Sequence, residues 1–136
     1  MPSNTTLSKL ARVLLVDDNE AMLARAATVL ASGCEVVGAV KDGQAALAAA
    51  EALDPDVIVL DISMPGMSGL EVAARLRRSG SRAELVFLTV HDEEEFVLAA
   101  KAAGGRGYVV KGRLASDLLA AVREVQGGGS FVSSIR

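Results

Sequence analysis

Hydrophobic residues in this chain gather into short unbroken runs, separated by longer Ala-rich or amphipathic stretches. Runs such as Val13-Leu14-Leu15-Val16 and Val57-Ile58-Val59-Leu60 have strand length and a high share of β-branched residues, which marks strands buried on both faces. The pattern predicts five strands, at residues 12–16, 35–40, 56–60, 84–89 and 107–110. Helices are expected between and after them. The first covers 20–31, with Asp18 or Asn19 as its cap and Gly33 as its stop. The second, at 44–53, follows the Asp42-Gly43 turn, and the third, at 69–78, turns Leu70, Ala73, Ala74 and Leu76 inward. The fourth, at 93–103, is capped by Asp92 and opens with three Glu residues that complement the helix dipole. The fifth, at 115–125, aligns Leu118, Leu119, Val122 and Val125.

Five strand–helix units joined by short links imply an α/β domain: a doubly wound parallel sheet with helices on both faces. The flavodoxin-like (βα)5 order 2-1-3-4-5 suits five strands. Residues 1–9 read as a polar leader, 10–126 as the domain, and 127–136, Gly127-Gly128-Gly129-Ser130-Phe131-Val132-Ser133-Ser134-Ile135-Arg136, as a linker-like tail.

Composition removes several classes of function. Aromatics make up 3% of the chain, too few for a base-stacking surface. Residues 1–100 carry 8 basic and 15 acidic side chains, net −7, so the domain offers no electrostatic footprint for DNA. The single Cys34 excludes an internal disulfide, fits a reducing compartment and is expected to fill core space. No apolar stretch has membrane-spanning length, and the expectation is a cytoplasmic protein without membrane contact.

The chemistry lies at the strand ends. Asp17-Asp18 closes the first strand, and Asp61 closes the third before Ile62-Ser63-Met64-Pro65-Gly66. In the expected order the first and third strands are neighbours, so the three carboxylates converge and repel one another. Hard oxygen donors with open positions suit Mg²⁺, with Mn²⁺ as the alternative. Thr89 and Lys111 end the fourth and fifth strands on the same edge. A carboxylate nucleophile, a divalent cation, a hydroxyl and an ammonium together form a phosphoryl-transfer site. Taken singly, each residue has an ordinary role as a turn, a cap or a solvated loop lysine; only their joint placement carries the inference. One His and no G-x-S-x-G elbow leave no support for a serine hydrolase.

The set Asp17-Asp18, Asp61 in Asp61-Ile62-Ser63-Met64-Pro65, Gly69, Thr89, Tyr108 and Lys111 resembles the receiver domain of two-component response regulators. The resemblance covers residues 12–126. Leu88-Thr89-Val90-His91-Asp92 and Gly107-Tyr108-Val109-Val110-Lys111 are similar to the NarL/FixJ (LuxR-type) subfamily. It implies that Asp61 accepts a phosphoryl group from a sensor histidine kinase. It further implies that Asp18, Asp61 and the backbone carbonyl of Ser63 hold Mg²⁺, with Asp17 acting through water. Thr89 and Lys111 would contact the phosphoryl group, and Tyr108 would swing inward as Thr89 moves. The face built by helix 4, strand 5 and helix 5 would be the readout surface, with Ser63, Val90 and His91 as modulators. The chain would be a switch and not an enzyme, beyond self-catalysed phosphoryl transfer and dephosphorylation. It would dimerise through helices 1 and 5 and reach DNA only through a C-terminal helix-turn-helix domain outside this sequence. Gly112 stands where many members have Pro, Val90 where a smaller residue is common, and Arg113-Leu114 where a Ser cap is common. The rival readings are a phosphate-independent receiver-like interaction module and a haloacid-dehalogenase-like phosphatase. The phosphatase lacks support, because Asp17-Asp18-Asn19 stands where that family carries D-x-D.

Overall fold

The computed structural model describes residues 10–90 and 93–133. Six strands are present among the described residues: β1 (Ala11–Val16), β2 (Cys34–Val40), β3 (Val57–Asp61), β4 (Glu84–Thr89), β5 (Gly107–Val110) and β6 (Phe131–Val132). Five helices accompany them: α1 (Glu20–Leu30), α2 (Gly43–Leu53), α3 (Gly69–Arg78), α4 (Glu94–Ala102) and α5 (Leu114–Gln126). A 3-10 turn, Lys111–Arg113, leads into α5.

Local chemistry explains where the helices begin. Asn19 accepts a hydrogen bond from the Met22 amide, Asp42 from Ala45 and Ser68 from Glu71, each satisfying a backbone donor that the first turn leaves open. The expected cap of α4, Asp92, lies outside the described residues; Glu93 stands at the cap position without a side-chain cap bond. Helix α5 also begins without a side-chain cap, at Arg113.

All pairings are parallel, in the order β2-β1-β3-β4-β5-β6. The expected order 2-1-3-4-5 therefore stands, and the expected count of five strands is corrected to six. The sixth comes from the tail. Phe131 pairs with Gly107 and Val132 with Tyr108. The Phe131 amide donates to Arg106 O and the Ser133 amide to Tyr108 O, so β6 occupies the edge that β5 would otherwise leave open. Gly128, at φ +93°, supplies the left-handed turn that brings the chain back from α5. A two-residue strand is too short to show periodicity, and glycines and serines surround it, so the sequence reads as a linker.

Strand alternation sorts the core into two layers. Val13, Leu15, Val57, Val59, Val86, Leu88 and Val109 face Ala26 and Leu30 of α1 and Leu118, Val122 and Val125 of α5. Leu14, Val16, Ile58, Leu60, Leu85, Phe87 and Tyr108 face the other way, against Ala46 and Ala50 of α2, Val72 and Leu76 of α3 and Ala100 of α4. Each fully buried Leu, Ile or Val contributes roughly 1.5–3 kcal/mol. Cys34 is buried in the first layer. No helix among the described residues is long and apolar enough to cross a membrane.

Candidate functional site

The parallel sheet aims the carboxyl ends of β1, β3, β4 and β5 at one edge, and this edge gathers the polar residues that the core excludes. Asp17 follows β1, its amide donating to Val40 O at 3.1 Å. Asp61 is the last residue of β3, opposite Leu88, and Thr89 is the last residue of β4, opposite Val110. Lys111 opens the turn after β5. Asp17 and Asp61 are each 2% exposed, and Thr89 is equally enclosed.

Asp17, Asp18 and Asp61 each present a carboxylate oxygen, all within 4.8 Å of one another. The Lys111 ammonium lies 3.0 Å from Asp17 Oδ2 and 3.4 Å from Asp61 Oδ2. Two backbone amides add support: Asn19 donates to Asp17 Oδ1 at 2.9 Å and Ser63 to Asp61 Oδ1 at 3.2 Å. The Lys111 contact does not have hydrogen-bond geometry, so buried Asp17 Oδ2 has no hydrogen-bond partner.

This crowding raises the Asp61 pKa from its ordinary 3.8 to about 7. Burial is the first cause and the neighbouring Asp17 charge the second; Lys111 and the Ser63 amide pull the other way, and a side-chain hydrogen bond with Asp18 adds to the rise. A buried acceptor without a hydrogen bond and a carboxyl pushed toward neutrality are the marks of a site short of positive charge. Hard oxygen donors suit Mg²⁺, and oxygens on opposite sides of that ion lie about 4 Å apart. A span of up to 4.8 Å leaves the three carboxylates close enough to share one such ion.

Gly69 shows how closely the site is built. An added Cβ there would stand 2.1 Å from Asp61 O, and the Gly69 amide donates to Ile62 O at 2.7 Å. Only glycine lets α3 start this close to the end of β3.

The remaining sequence-predicted residues have definite positions. Ser63 is exposed beside Asp61. Val90, just after β4, is 68% exposed. Tyr108 is buried in the layer under α2, α3 and α4. His91 lies outside the described residues.

Sequence reading missed one group at the same end of the sheet. Asp117 of α5, buried, accepts from Ser133 Oγ at 2.7 Å, Arg113 Nε at 3.0 Å and Ser116 Oγ at 2.9 Å. Burial opposes its charge, but the bonds from Ser133, Arg113 and Ser116 together outweigh it and hold the carboxyl below the usual range. A signal for it existed. Asp117 stands three residues after Leu114 and four before Ala121, on the apolar stripe of α5, where an acid needs a partner.

The parallel sheet thus carries three acids, a threonine and a lysine at its carboxyl edge. Residues 13–123 match the response regulator receiver domain, and the chain belongs to that family. Response regulator GacA of Pseudomonas viridiflava is 36% identical over 124 residues, 90% of this chain and 58% of GacA. The nitrate/nitrite response regulator protein NarL of Escherichia coli K12 is 35% identical over 125 residues, 90% of this chain and 58% of NarL. This chain thus spans less than two thirds of these curated relatives. Among solved structures, the receiver domain of the NarL regulator from Mycobacterium tuberculosis superposes with a TM-score of 0.80 at 33% identity, covering 88% of this chain and 98% of that one.

Proposed function

We propose that this receiver takes a phosphoryl group on Asp61 from the phosphohistidine of a sensor kinase and uses it to switch an output. The observation that carries the reading is the convergence of Asp17, Asp18, Asp61 and Lys111, in which buried Asp17 Oδ2 faces the Lys111 ammonium at 3.0 Å but has no hydrogen-bond partner. A carboxylate oxygen of Asp61 attacks phosphorus, an O–P bond forms and the N–P bond breaks. The electron pair stays on the imidazole nitrogen, which takes up a proton. Hydrolysis of the acyl phosphate returns the carboxylate and inorganic phosphate.

Asp18, Asp61 and the Ser63 carbonyl would hold Mg²⁺, or Mn²⁺ in its place, with Asp17 acting through water. Held by these residues, the ion would offset negative charge on the incoming phosphoryl group. Lys111 supplies a second positive charge and Thr89 a hydroxyl at the same edge. Tyr108 then reports the state of Thr89 through the α4–β5–α5 face. Ser63, Val90 and His91, beside the site in sequence, would tune the phosphoryl lifetime. In this reading α1 and α5, adjacent on one layer, form a homodimer contact. Output is transcriptional, through a C-terminal helix-turn-helix segment, and the receiver itself touches neither DNA nor membrane.

Intact-mass analysis after incubation with acetyl phosphate tests the reading. A phosphoryl adduct that requires Mg²⁺ and is lost in Asp61→Asn is the expected result. An absence of adduct with both acetyl phosphate and a kinase donor would replace it with a phosphate-independent interaction module.

A further inference from the structure

Ser133, just after the tail strand, makes three hydrogen bonds to β5 and α5. The Ser133 amide donates to Tyr108 O at 2.8 Å. Its hydroxyl accepts from the Val110 amide at 3.1 Å and donates to Asp117 Oδ2 at 2.7 Å. Asp117 in turn holds Arg113 at 3.0 Å. Lys111 is therefore bracketed, with Val110 fixed on one side by Ser133 and Arg113 fixed on the other by Asp117. Val132 is the register partner of Tyr108, so its side chain shares the sheet face into which Tyr108 packs.

We propose that Ser133 and Asp117 form a latch that couples the segment after α5 to the phosphoryl site, acting as positioning residues for Lys111 and for Tyr108 in its buried placement. The inference rests on the reading of Asp61 as phosphoacceptor. A docked tail holds the β5–α5 turn that carries Lys111, and Lys111 reaches Asp17 and Asp61 from that turn. A group on Asp61 that draws on Lys111 favours the docked tail, and by thermodynamic reciprocity the docked tail favours the group on Asp61. Any element attached beyond the tail would then feel the phosphorylation state through three hydrogen bonds, without touching the acidic pocket. The latch needs a hydroxyl at 133, because only a group that both accepts and donates can join the Val110 amide to the Asp117 carboxylate.

Amide exchange of Phe131 and Ser133, followed by NMR on the whole 136-residue chain with and without Mg²⁺ and beryllofluoride, tests the coupling. Protection of both amides should rise about fivefold or more when the phosphoryl mimic binds. Ser133→Ala should release the tail and slow Mg²⁺-dependent phosphoryl uptake at Asp61 by a similar factor of about five, whereas Ser133→Thr should restore both. Equal tail protection in the two states, or an Ala variant that frees the tail with uptake unchanged, overturns the latch. If the wild type accepts neither phosphoryl group nor beryllofluoride, the phosphoacceptor reading fails by itself. The latch is then judged on the Lys111 Nζ and Tyr108 ring resonances. Movement of both in Ser133→Ala and their return in Ser133→Thr supports it, and unmoved resonances refute it.

Discussion

Replacing Asp61 with Asn should make the metal-free protein more stable, by a margin that grows as pH rises from the ordinary carboxylate range past neutrality. The folded-state pKa of Asp61 is about 7 against an ordinary 3.8. Below the unfolded-state value the acid is neutral in both states and costs nothing. As pH rises from there, the unfolded chain ionises first, so the folded state binds the extra proton and loses stability until the folded pKa is passed. Three pKa units amount to about 4 kcal/mol, of which roughly 3 kcal/mol falls between about pH 5 and pH 8.5. Asn keeps an oxygen for the Ser63 amide but carries no charge next to Asp17. Its advantage over the wild type should therefore widen by about 3 kcal/mol across that interval, a melting shift of about 10 °C for a domain of this size. Thermal melts of both proteins in EDTA at the two pH values measure this directly. Saturating Mg²⁺ should shrink the gap by stabilising the wild type through binding to its folded state. A gap that stays constant with pH, or narrows toward alkaline pH, would refute the assignment of Asp61 as the buried, crowded carboxyl.

Two further substitutions probe the surroundings of that carboxyl. Lys111→Gln removes the ammonium 3.0 Å from Asp17, which is 2% exposed; urea unfolding in EDTA should show a loss of roughly 3 kcal/mol, and an unchanged midpoint would show that Asp17 is satisfied some other way. Gly69→Ala forces a Cβ to within 2.1 Å of Asp61 O, so about 1–3 kcal/mol of stability should go together with phosphoryl uptake, whereas Gly112→Ala, where an added Cβ meets nothing within 4 Å, should leave both intact.

The geometry also separates two demands made on the same edge. Under the proposed function, phosphoryl acceptance would need Asp61 ionised, while folding without a cation prefers it neutral. A divalent cation at the cluster would then relieve the repulsion among the carboxylates. Lys111 meets part of the need from a side chain that is 16% exposed, and it stands on the turn that the tail strand fixes. Charge balance in the pocket and docking of the tail therefore share one short piece of backbone, residues 110–113.

The strand and helix succession was legible in the sequence because each element carries its own period. The β3 run is apolar at every position and ends in an acid, and α3 runs over the residues that its amphipathic pattern marks. The family residues were legible for a related reason: Asp17, Asp61, Thr89 and Lys111 all stand where an apolar run stops, and a parallel sheet sends all such ends to one edge. Tertiary structure alone decided the rest. The strand Phe131–Val132 exists because β5 leaves an edge with backbone groups to pair, a fact about a neighbour distant in sequence. Ser133 reads as a linker serine until the fold brings it 2.7 Å from Asp117. Asp61 stands out in the sequence, but only its burial and the nearby Asp17 raise its pKa to about 7. Local periodicity is encoded in neighbouring residues and can be read along the chain, whereas edge pairing, burial and the mutual electrostatics of distant groups come into being only when the chain has closed on itself.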